Sequence, residues 1–513
     1  METHISSEET VTISKTEYES LKQQIAWLME QLKLSRRRQF GVSSEKNQYE
    51  QLSVFNEAES FVGQSTAEPE LAEIKGYRRK KSRRAIDRLP PDLPVEIIEY
   101  ELPQAQRICP DCDGALHVMG QENRDELKLI PAKAAIRRHV RNVYACRRCD
   151  RDAEQVPIIK AAMPQPVIKG SFASPEAVAH IITQKFVMGI PLYRQEQDWE
   201  RNGVLLSRQT MSNWLIRTAL DWLKPVYDRL HQLMCAAEVL HADETTVQVL
   251  HEEGKTAQSK SYMWLYRTSC DARHPIVLYE YQPSRSGEHP AKFLQNFEGF
   301  LHTDGWEEYR RKLPDKITLV GCWAHCRRKF DEALGAIPKK DQKDSEVLRG
   351  LQFCDKLFAL EREFADLPPD DNMAARKLAR LERSKSVMEK FFSWCKQMEL
   401  SIVPKSLLGQ ALRYALSQRT RLERVLLDGR LELSNNRAER SIKPFVIGRK
   451  NWLFNNTPKG ARASSIIYSL VETAKENNLN PYEYLVAILR IAPNIDTGAC
   501  MDTLLPWRVC ARV

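Results

Sequence analysis

The stretch Val239-Leu240-His241-Ala242-Asp243-Glu244-Thr245-Thr246-Val247 decides how the centre of this chain folds. Apolar residues precede its two acids and β-branched residues follow them, which favours a β-strand. A carboxylate within a buried strand is unfavourable unless it is paired or binds a cation. Asp243 is therefore either a buried ligand or an ordinary acid of a surface hairpin. Its neighbour Glu244 is an equal candidate until the rest of the chain is considered.

Strands alternate with short helices in the residues after Asp243. We predict an antiparallel meander of three strands, then a helix, a strand, a helix and a strand. The elements after the first strand are residues 261–268, 276–281, 290–297, 299–304, 307–311 and 317–323. This is the order of an RNase H-like core, in which the first and fourth strands are neighbours. Asp304, at the end of the fourth strand, is then expected beside Asp243.

A pair of neighbouring carboxylates predicts a cation site. Two such groups repel each other, and one is protonated unless a cation lies between them. Oxygen ligands without a histidine or cysteine pair favour Mg²⁺ or Mn²⁺ over Zn²⁺. With a third carboxylate, the pair can hold two metal ions for in-line phosphoryl transfer. We therefore expect Asp243, Asp304 and a third acid to bind Mg²⁺ or Mn²⁺ and to be catalytic.

The third acid is expected on a helix after the fifth strand. Residues 433–444, LSNNRAERSIKP, provide Glu439. Ser434 or Asn435 is expected to cap this helix, and Pro444 to end or kink it. A lone glutamate on a helix is usually only solvated, but the asparagine pair and the surrounding cations favour a role for Glu439.

Basic side chains near the acids are candidates for contacts to DNA phosphates. They are Arg437, Arg440, Lys443, Arg449 and Lys450 around Glu439, and Arg327 and Arg328 after the fifth strand. His325 lies in the latter run, where a DNA contact is the preferred role and proton transfer is the alternative. Trp452 is expected either to stack on a base or to belong to the core.

Two CxxC pairs, Cys109-Pro-Asp-Cys112 and Cys146-Arg-Arg-Cys149, are the most specific metal signal in the chain. They can supply four thiolates to a tetrahedral Zn²⁺ site, which leaves no open position, so this Zn²⁺ is expected to be structural. Residues 127–130 and 135–143 are expected to be hairpin strands of a zinc ribbon. The arginines around them suit DNA contact.

The N-terminal segments point to assembly and to a polyanionic partner. Ser14 and Glu17 form a capping box. Apolar residues then recur at heptad spacing: Tyr18, Leu21, Ile25, Leu28 and Leu32. We prefer a self-associating coiled coil to an amphipathic helix packed on its own domain. The run 77–84 has six basic residues in eight and is either a solvated tail or a phosphate contact.

Residues 174–223 predict three helices. Ser174-Pro175-Glu176 begins the first, residues 189–191 break it, residues 193–201 form the second, and Ser207 caps the third. A short helix, a turn and a helix rich in Arg, Gln, Ser and Asn resemble a helix-turn-helix reader of DNA. A plain helical packing unit fits these residues equally well.

The composition is that of a globular protein, with 42% hydrophobic and 28% charged residues. There is no apolar run of the roughly 18 residues that suggest a membrane span, and the N-terminus lacks a secretory pattern. We therefore expect a cytoplasmic, nucleoid-associated protein. The net charge of +9 is modest, so only local basic clusters argue for a polyanionic partner.

The ordered motifs resemble those of the IS66-family transposases, DDE enzymes of bacterial insertion sequences. The matching motifs are HADET (241–245), TDGW (303–306), CWAHCRRKF (322–330), SNNRAERSIKP (434–444), GRKNWLF (448–454), IPLYRQEQ (190–197), ETAKENNLNPYEYL (472–485) and LLPW (504–507). The leucine helix and the CxxC pairs also match, so the resemblance extends from about residue 14 to 508. Ser434 stands where the family usually has Asp, and Cys326 where it usually has a small residue.

The resemblance implies the catalytic triad Asp243, Asp304 and Glu439. It also selects Asp243 over Glu244, whose side chain should point to the opposite face of the strand. It implies an enzyme that binds terminal inverted repeats and then cleaves and joins DNA strands. The implied partners are double-stranded DNA of the element ends and target, further copies of this chain, and accessory proteins of the same element. Two alternatives stay open, a zinc-containing DNA-binding regulator and a structure-specific nuclease or resolvase on the same fold.

The expected fold class is α/β, an RNase H-like core with a helical insertion, preceded by a coiled coil, a zinc ribbon and a helix-turn-helix-like region. The expected segments are an assembly helix (1–45), a basic linker (46–95), the zinc ribbon (96–160), the helix-turn-helix-like region (161–235), the first part of the core (236–336), the insertion (337–430), the last part of the core with Glu439 (431–490) and a tail (491–513).

Overall fold

The structure of the chain is a computed structural model. It describes Ser14, several positions between 17 and 29, and residues 134–145, 158–343, 345–365, 372–495 and 501–509. The chain forms two compact units, Thr66–Arg138 and a larger one that joins Met1–Ser65 to His139–Val513. The four CxxC cysteines, the predicted strand 127–130 and the basic run 77–84 lie outside the described residues.

A short antiparallel ribbon precedes the main sheet. Strand β1 (Val143–Ala145) pairs with β2 (Ile158–Lys160). The prediction of a strand over 135–143 is wrong, because residues 134–142 are irregular and the strand begins only at Val143. The side chains of residues 134–144, which include Arg137, Arg138, His139 and Arg141, are exposed.

The central sheet has five strands in the order β5-β4-β3-β6-β7. Strands β5, β4 and β3 are antiparallel, whereas β3, β6 and β7 are parallel. The prediction that the first and fourth strands of this sheet are neighbours is therefore confirmed. The strands are β3 (Val239–Gln248), β4 (Lys260–Thr268), β5 (Val277–Gln282), β6 (Gly299–His302) and β7 (Ile317–Val320).

Two of these strands end earlier than the sequence predicts. Strand β6 ends at His302 rather than at Asp304, and β7 ends at Val320. Trp323, predicted at the end of the fifth strand, begins the next helix instead. The acid after β6 therefore lies in a loop that follows the strand.

Helices before the sheet form one packed group. Ser174 Oγ accepts a hydrogen bond from the Ala177 N–H, and Ser207 Oγ accepts one from the Thr210 N–H, so both predicted caps are confirmed. Gly189, at φ +72°, separates the first two helices. The helices are α1 (Pro175–Phe186), α2 (Leu192–Arg201), α3 (Arg208–Thr218) and α4 (Lys224–Cys235), with a π-helical segment (Ala219–Leu223) joining the last two.

Short helices connect the parallel strands, and longer ones form the predicted helical insertion. The connecting helices are α5 (Glu288–Phe293) and α6 (Glu307–Lys312), and α7 (Trp323–Ala336) follows the last strand. The insertion contains α8 (Glu346–Ala365), α9 (Asn372–Ala379), a π-helical segment (Arg380–Ser384), α10 (Lys385–Glu399) and α11 (Leu407–Glu423).

The described residues form two hydrophobic cores. The larger joins the sheet to the helices before it and to those near the C-terminus. The smaller joins α7 to the insertion, where the Trp323 ring lies 5.5 Å from that of Phe391. Because the insertion shares its core with α7, it supports the helix that begins just after the sheet.

The C-terminal helices return to the sheet and cover an edge strand. On α13, Ser469 Oγ accepts a hydrogen bond from the Tyr279 N–H and Thr473 Oγ1 accepts one from the Val277 N–H of β5. At the opposite edge, Arg424 donates to the carbonyl of Leu319 in β7. The helices are α12 (Asn436–Trp452), α13 (Pro458–Glu476), α14 (Pro481–Ile491) and α15 (Pro506–Val509).

The described residues between 17 and 29 are helical, and all of them except the half-buried Trp27 are exposed, whereas Leu21 and Leu32 of the predicted seam lie outside the described residues. Ser14 Oγ accepts a hydrogen bond from the Glu17 N–H, and the Ser14 N–H donates to the Glu17 carboxylate, so the capping box is confirmed. The seam residues Tyr18, Ile25 and Leu28 are each more than half exposed. None of the helices in the described ranges is long and apolar enough to cross a membrane.

Candidate active site

Asp243 and Asp304 follow equivalent positions on two neighbouring parallel strands. His241 of β3 is in register with His302 of β6, and each acid is two residues further along. Asp243 Oδ1 accepts a hydrogen bond from the Glu244 N–H at 2.8 Å. Asp304 Oδ1 accepts one from the Trp306 N–H at 2.9 Å. The parallel register therefore places both acids at the same end of the sheet.

Glu439, which is buried on the first turn of α12, completes a cluster of acids with the half-buried Asp243 and Asp304. Burial raises the pKa of Asp243 well above its usual range, and the charges of Glu244, Glu439 and Asp304 raise this pKa further. Asp304 and Glu439 are therefore both within electrostatic reach of Asp243. A carboxylate in such a place needs a proton or a cation to offset its charge.

Two side chains of α7 face Glu439. His325 Nε2 lies 3.7 Å from one Glu439 oxygen, and an Arg328 nitrogen lies 3.7 Å from the other. Burial lowers the pKa of His325, which favours the neutral ring. Cys322, at the start of this helix, is also close: its sulfur, His325 Nε2 and a Glu439 oxygen all lie within 4.8 Å of one another.

A pair of buried histidines lies behind the two strand acids. The rings of His241 and His302 stack with centroids 4.4 Å apart and planes 9° apart. Burial lowers the pKa of His241 to about 3 and that of His302 well below its usual range, so both rings are neutral. The sequence prediction missed this pair. The repeated pattern His-x-Asp, in HADET and in HTDGW, could have indicated that the two histidines occupy equivalent positions on their strands.

Asn435 joins the histidine layer to the helix that carries Glu439. Its amide Nδ2 donates to the carbonyl of Ala242 at 2.8 Å, and its Oδ1 lies 3.0 Å from His241 Nδ1. The Asn435 N–H donates to the Cys322 sulfur at 3.2 Å, and its carbonyl accepts the Glu439 N–H. Asn435 therefore fixes the start of α12 against β3 and α7 at once.

Two predictions about this helix need correction. Asn435 stands at the N-cap position, but its side chain makes no cap and is used for the bonds to β3. Pro444 does not end the helix, which continues to Trp452. Proline lacks an N–H, so it removes one internal hydrogen bond at that point. Packing of Ile442 and Phe445 in the larger core holds the helix on both sides of it.

Glu244 is a fourth acid at this site, and its buried carboxylate is held by an arginine. Its carboxylate accepts hydrogen bonds from Arg285 and, at 3.0 Å, from the Tyr309 hydroxyl. Burial raises the pKa of Glu244 to about 7. The same Arg285 guanidinium lies 3.8 Å from Asp304 and 4.6 Å from the centre of the Trp306 ring. Arg285 therefore links Glu244 to a predicted catalytic acid.

The predicted DNA contacts fall into two groups. Three of the arginines bind other residues of this chain. Arg437 donates to Glu432 at 2.6 Å, Arg327 donates to Asp355 at 2.6 Å, and Arg449 donates to Thr245 and Thr246. Arg328 faces Glu439. The others lie along α12, where Arg440 and Lys450 are exposed and Lys443 and Trp452 are half-buried.

The acids fit a divalent cation of the Mg²⁺ type. They offer oxygen ligands, and burial together with the charges of the neighbouring acids disfavours the charged form of Asp243 without a cation. Among the described residues, however, only Cys322, His325 and Glu439 bring three ligand atoms within 4.8 Å of one another. The triad acids are more widely spread, so they would have to approach one another to share an ion.

Family comparisons cover most of the chain. The profile described as "Transposase IS66 family" matches residues 170–463, which include Asp243, Asp304 and Glu439. The "zinc-finger binding domain of transposase IS66" matches residues 106–150, which include the four CxxC cysteines. "Transposase C of IS166 homeodomain" matches residues 27–98, and "IS66 C-terminal element" matches residues 469–507.

Similar proteins occur in Sinorhizobium fredii (strain NBRC 101917 / NGR234). "Uncharacterized protein y4jD" is 32% identical over 443 residues, which cover 84% of this chain and 83% of that protein. "Uncharacterized protein y4qI" is 31% identical over 512 residues, covering 95% of this chain and 90% of that protein. The chain belongs to the IS66 family of transposases, whose profile is of the DDE type.

Proposed function

We propose that the protein is an active DDE transposase that binds the terminal inverted repeats of its element and catalyses DNA strand cleavage and strand transfer. The observation that carries this proposal is the register of His241 with His302, each two residues before an acid, together with the charges of Asp304 and Glu439 that raise the pKa of Asp243. We also propose that the sheet is an RNase H-like core, because three antiparallel strands continue into two parallel ones in the order 3-2-1-4-5.

Asp243, Asp304 and Glu439 would hold Mg²⁺ or Mn²⁺. When bound, such ions activate the attacking hydroxyl and stabilise the leaving oxygen. Arg285 restrains Asp304 through its contact at 3.8 Å, and Asn435 restrains the turn that carries Glu439. His325 faces Glu439, so we favour a role at this acid over a contact to DNA.

Several surfaces would bind DNA. Arg440 and Lys450 are exposed on α12 beyond Glu439 and suit phosphate contact. Trp452 lines an open cleft with Lys185, Tyr193 and Phe454, and such aromatic and cationic groups suit stacking with an unpaired base. The α2 and α3 pair would act as the helix-turn-helix reader. For Lys443, Arg437, Arg449, Arg327 and Arg328, DNA contact stays a prediction.

The remaining segments would serve assembly and recognition. We propose that Cys109, Cys112, Cys146 and Cys149 bind a structural Zn²⁺, since the zinc-finger profile covers all four. Exposed Tyr18, Ile25 and Leu28 suit a coiled coil between copies of the chain. The domain boundaries given above, nucleoid association and help from accessory proteins of the same element stay predictions.

The test is Mg²⁺-dependent cleavage and joining of a DNA carrying the ends of the element. Asp243→Asn should lower both activities by at least about 10³-fold, since metal binding supplies several kcal/mol to the transition state. DNA binding, measured by gel shift, should stay within a few-fold of wild type. Glu244→Gln on the same strand is the matched control and should lose far less. Wild-type cleavage by Asp243→Asn would overturn the proposal.

The same assay separates the two alternatives. A nuclease or resolvase would cut the end substrate without joining it to a target. A DNA-binding regulator would bind the substrate without any metal-dependent cutting. The second outcome would contradict an enzymatic role, and the first would restrict it to hydrolysis.

A further inference from the structure

We propose that Cys322, His325 and Glu439 form a second metal site, one that takes a borderline-soft divalent ion such as Zn²⁺. The three ligand atoms already lie within 4.8 Å of one another. In a tetrahedral site with bonds of about 2.0–2.3 Å, ligand atoms are about 3.3–3.7 Å apart. The 3.7 Å between His325 Nε2 and Glu439 is close to this spacing, so small side-chain movements would complete the site.

The local backbone favours this ligand set. Cys322 is the N-cap residue of α7 and His325 lies in the first turn of that helix, so both side chains are presented at the same end of α7. The Asn435 N–H donates to the Cys322 sulfur at 3.2 Å and fixes the thiol beside the first turn of α12. The other ring nitrogen of His325, Nδ1, is buried and has no hydrogen-bond partner within the described ranges, whereas Nε2 points toward Glu439.

The chemistry of these ligands differs from that of the acid triad. A thiolate and an imidazole select Zn²⁺ and similar transition metals, whereas carboxylates alone suit Mg²⁺ and Mn²⁺. Three protein ligands would leave one position open to water or another group. Glu439 belongs to both sets, so an ion held by Cys322 and His325 would draw this carboxylate away from Asp243 and Asp304.

Inhibition follows from this sharing, and this consequence rests on the proposed function. Zn²⁺ bound at the second site would compete with Mg²⁺ for Glu439 and so block strand cleavage. Binding of Zn²⁺ at this second site does not depend on catalysis. It depends only on the Cys322, His325 and Glu439 side chains.

The test is the number of Zn²⁺ ions bound per full-length chain, measured by mass spectrometry of the metal after gel filtration in Zn²⁺ buffer. Wild type should bind one ion more than either Cys322→Ser or His325→Gln. Cys235→Ser is the matched control, because Cys235 lies 3.4 Å from His231 Nε2 in a pair that belongs to no three-ligand cluster among the described residues. It should bind as many ions as wild type.

Equal Zn²⁺ numbers in wild type, Cys322→Ser and His325→Gln would overturn the proposal. Circular dichroism would establish that each variant is folded. If Cys322→Ser, a change at a buried residue, does not fold, the Zn²⁺ count of His325→Gln tests the proposal alone. Asp243→Asn should keep the extra ion, and its loss there would assign the ion to the acid triad instead. In Mg²⁺-supported cleavage, the Zn²⁺ concentration for half inhibition should rise at least tenfold in Cys322→Ser. Failure of cleavage in wild type would contradict the proposed function and leave the ion count as the test of the site.

Discussion

Asp243 lies within β3 and Asp304 lies in the loop just after the neighbouring strand β6, whereas the third proposed catalytic acid, Glu439, lies on the distant helix α12. The difference between these regions is how each acid is held. Asp243 and Asp304 are placed by the parallel register of β3 and β6 and by local backbone hydrogen bonds. Glu439 is placed by contacts between α12 and the rest of the molecule. Strand acids are thus positioned by the sheet itself, whereas the helix acid depends on a few side chains.

The position of Glu439 should depend strongly on Asn435. Asn435→Ala would leave the His241 ring and the Ala242 carbonyl without their partner, at a cost of about 1–3 kcal/mol in the free energy of unfolding. Displacement of Glu439 should lower cleavage by about 10²-fold, since a shift of ~1 Å can cost that much. The Mn²⁺ concentration for half-maximal cleavage should also rise, which a loss of stability alone would not produce.

Asn436→Ala is the matched control for this prediction. Asn436 is the next residue and equally buried, but its side-chain amide makes no hydrogen bond to the described part of the chain. Its replacement should change cleavage much less. Asn435→Asp keeps the acceptor for His241 and should recover part of the loss. Equal effects of the alanine changes at 435 and 436 would contradict a specific positioning role.

Removal of the charge of Asp243 and of Glu439 should affect the stability of the metal-free protein differently. The raised pKa of Asp243 means that the folded protein gains stability from this group at low pH and loses it as the pH rises through the folded pKa. Asp243→Asn should therefore raise Tm at pH 8 by several degrees. Glu439 has His325 and Arg328 each at 3.7 Å, so Glu439→Gln should raise Tm less or lower it. Calorimetry in a chelating buffer measures both, and a larger gain for Glu439→Gln would contradict the distinction.

Low pH should lower the free energy of unfolding through the stacked rings of His241 and His302. Both rings titrate near 6.5 when unfolded but have lowered pKa values when folded, about 3 for His241. The unfolded chain therefore binds more protons between these values. Each ring's contribution to stability is complete above about pH 6.5 and is lost as the pH falls, by up to roughly 1.4 kcal/mol per pH unit.

Urea unfolding between pH 7.5 and 5 measures this slope. His302→Gln cannot gain a proton, so its free energy of unfolding should fall less steeply than that of wild type. His139→Gln, at an exposed position, is the control and should leave the slope unchanged. If the free energy of unfolding of His302→Gln falls with pH as steeply as that of wild type, the stacked histidine pair does not cause this pH dependence.

The sequence predicted the strand-borne half of the site more directly than the helix-borne half. Alternation and the order of strands and helices were enough to predict Asp243 beside Asp304, because in the expected RNase H-like order the first and fourth strands are neighbours, as β3 and β6 are. Glu439 was reached mainly through the motif around it, because the helical insertion separates it from the sheet. Arg285 was missed, and Asn435 was expected to cap its helix rather than to bind β3. Both roles are long-range contacts, to Glu244 and His241, which no local pattern encodes.

The hydroxyls of Ser469 and Thr473 have a consequence for how copies of the chain can associate. An edge strand with free N–H groups invites strand addition from another protein. Here the N–H groups of Val277 and Tyr279 already have acceptors, and Arg424 occupies a carbonyl at the other edge. Extension of the sheet across two molecules would first have to break these bonds. Association through helices keeps them, so the main sheet is protected from the edge-to-edge aggregation that threatens exposed strands.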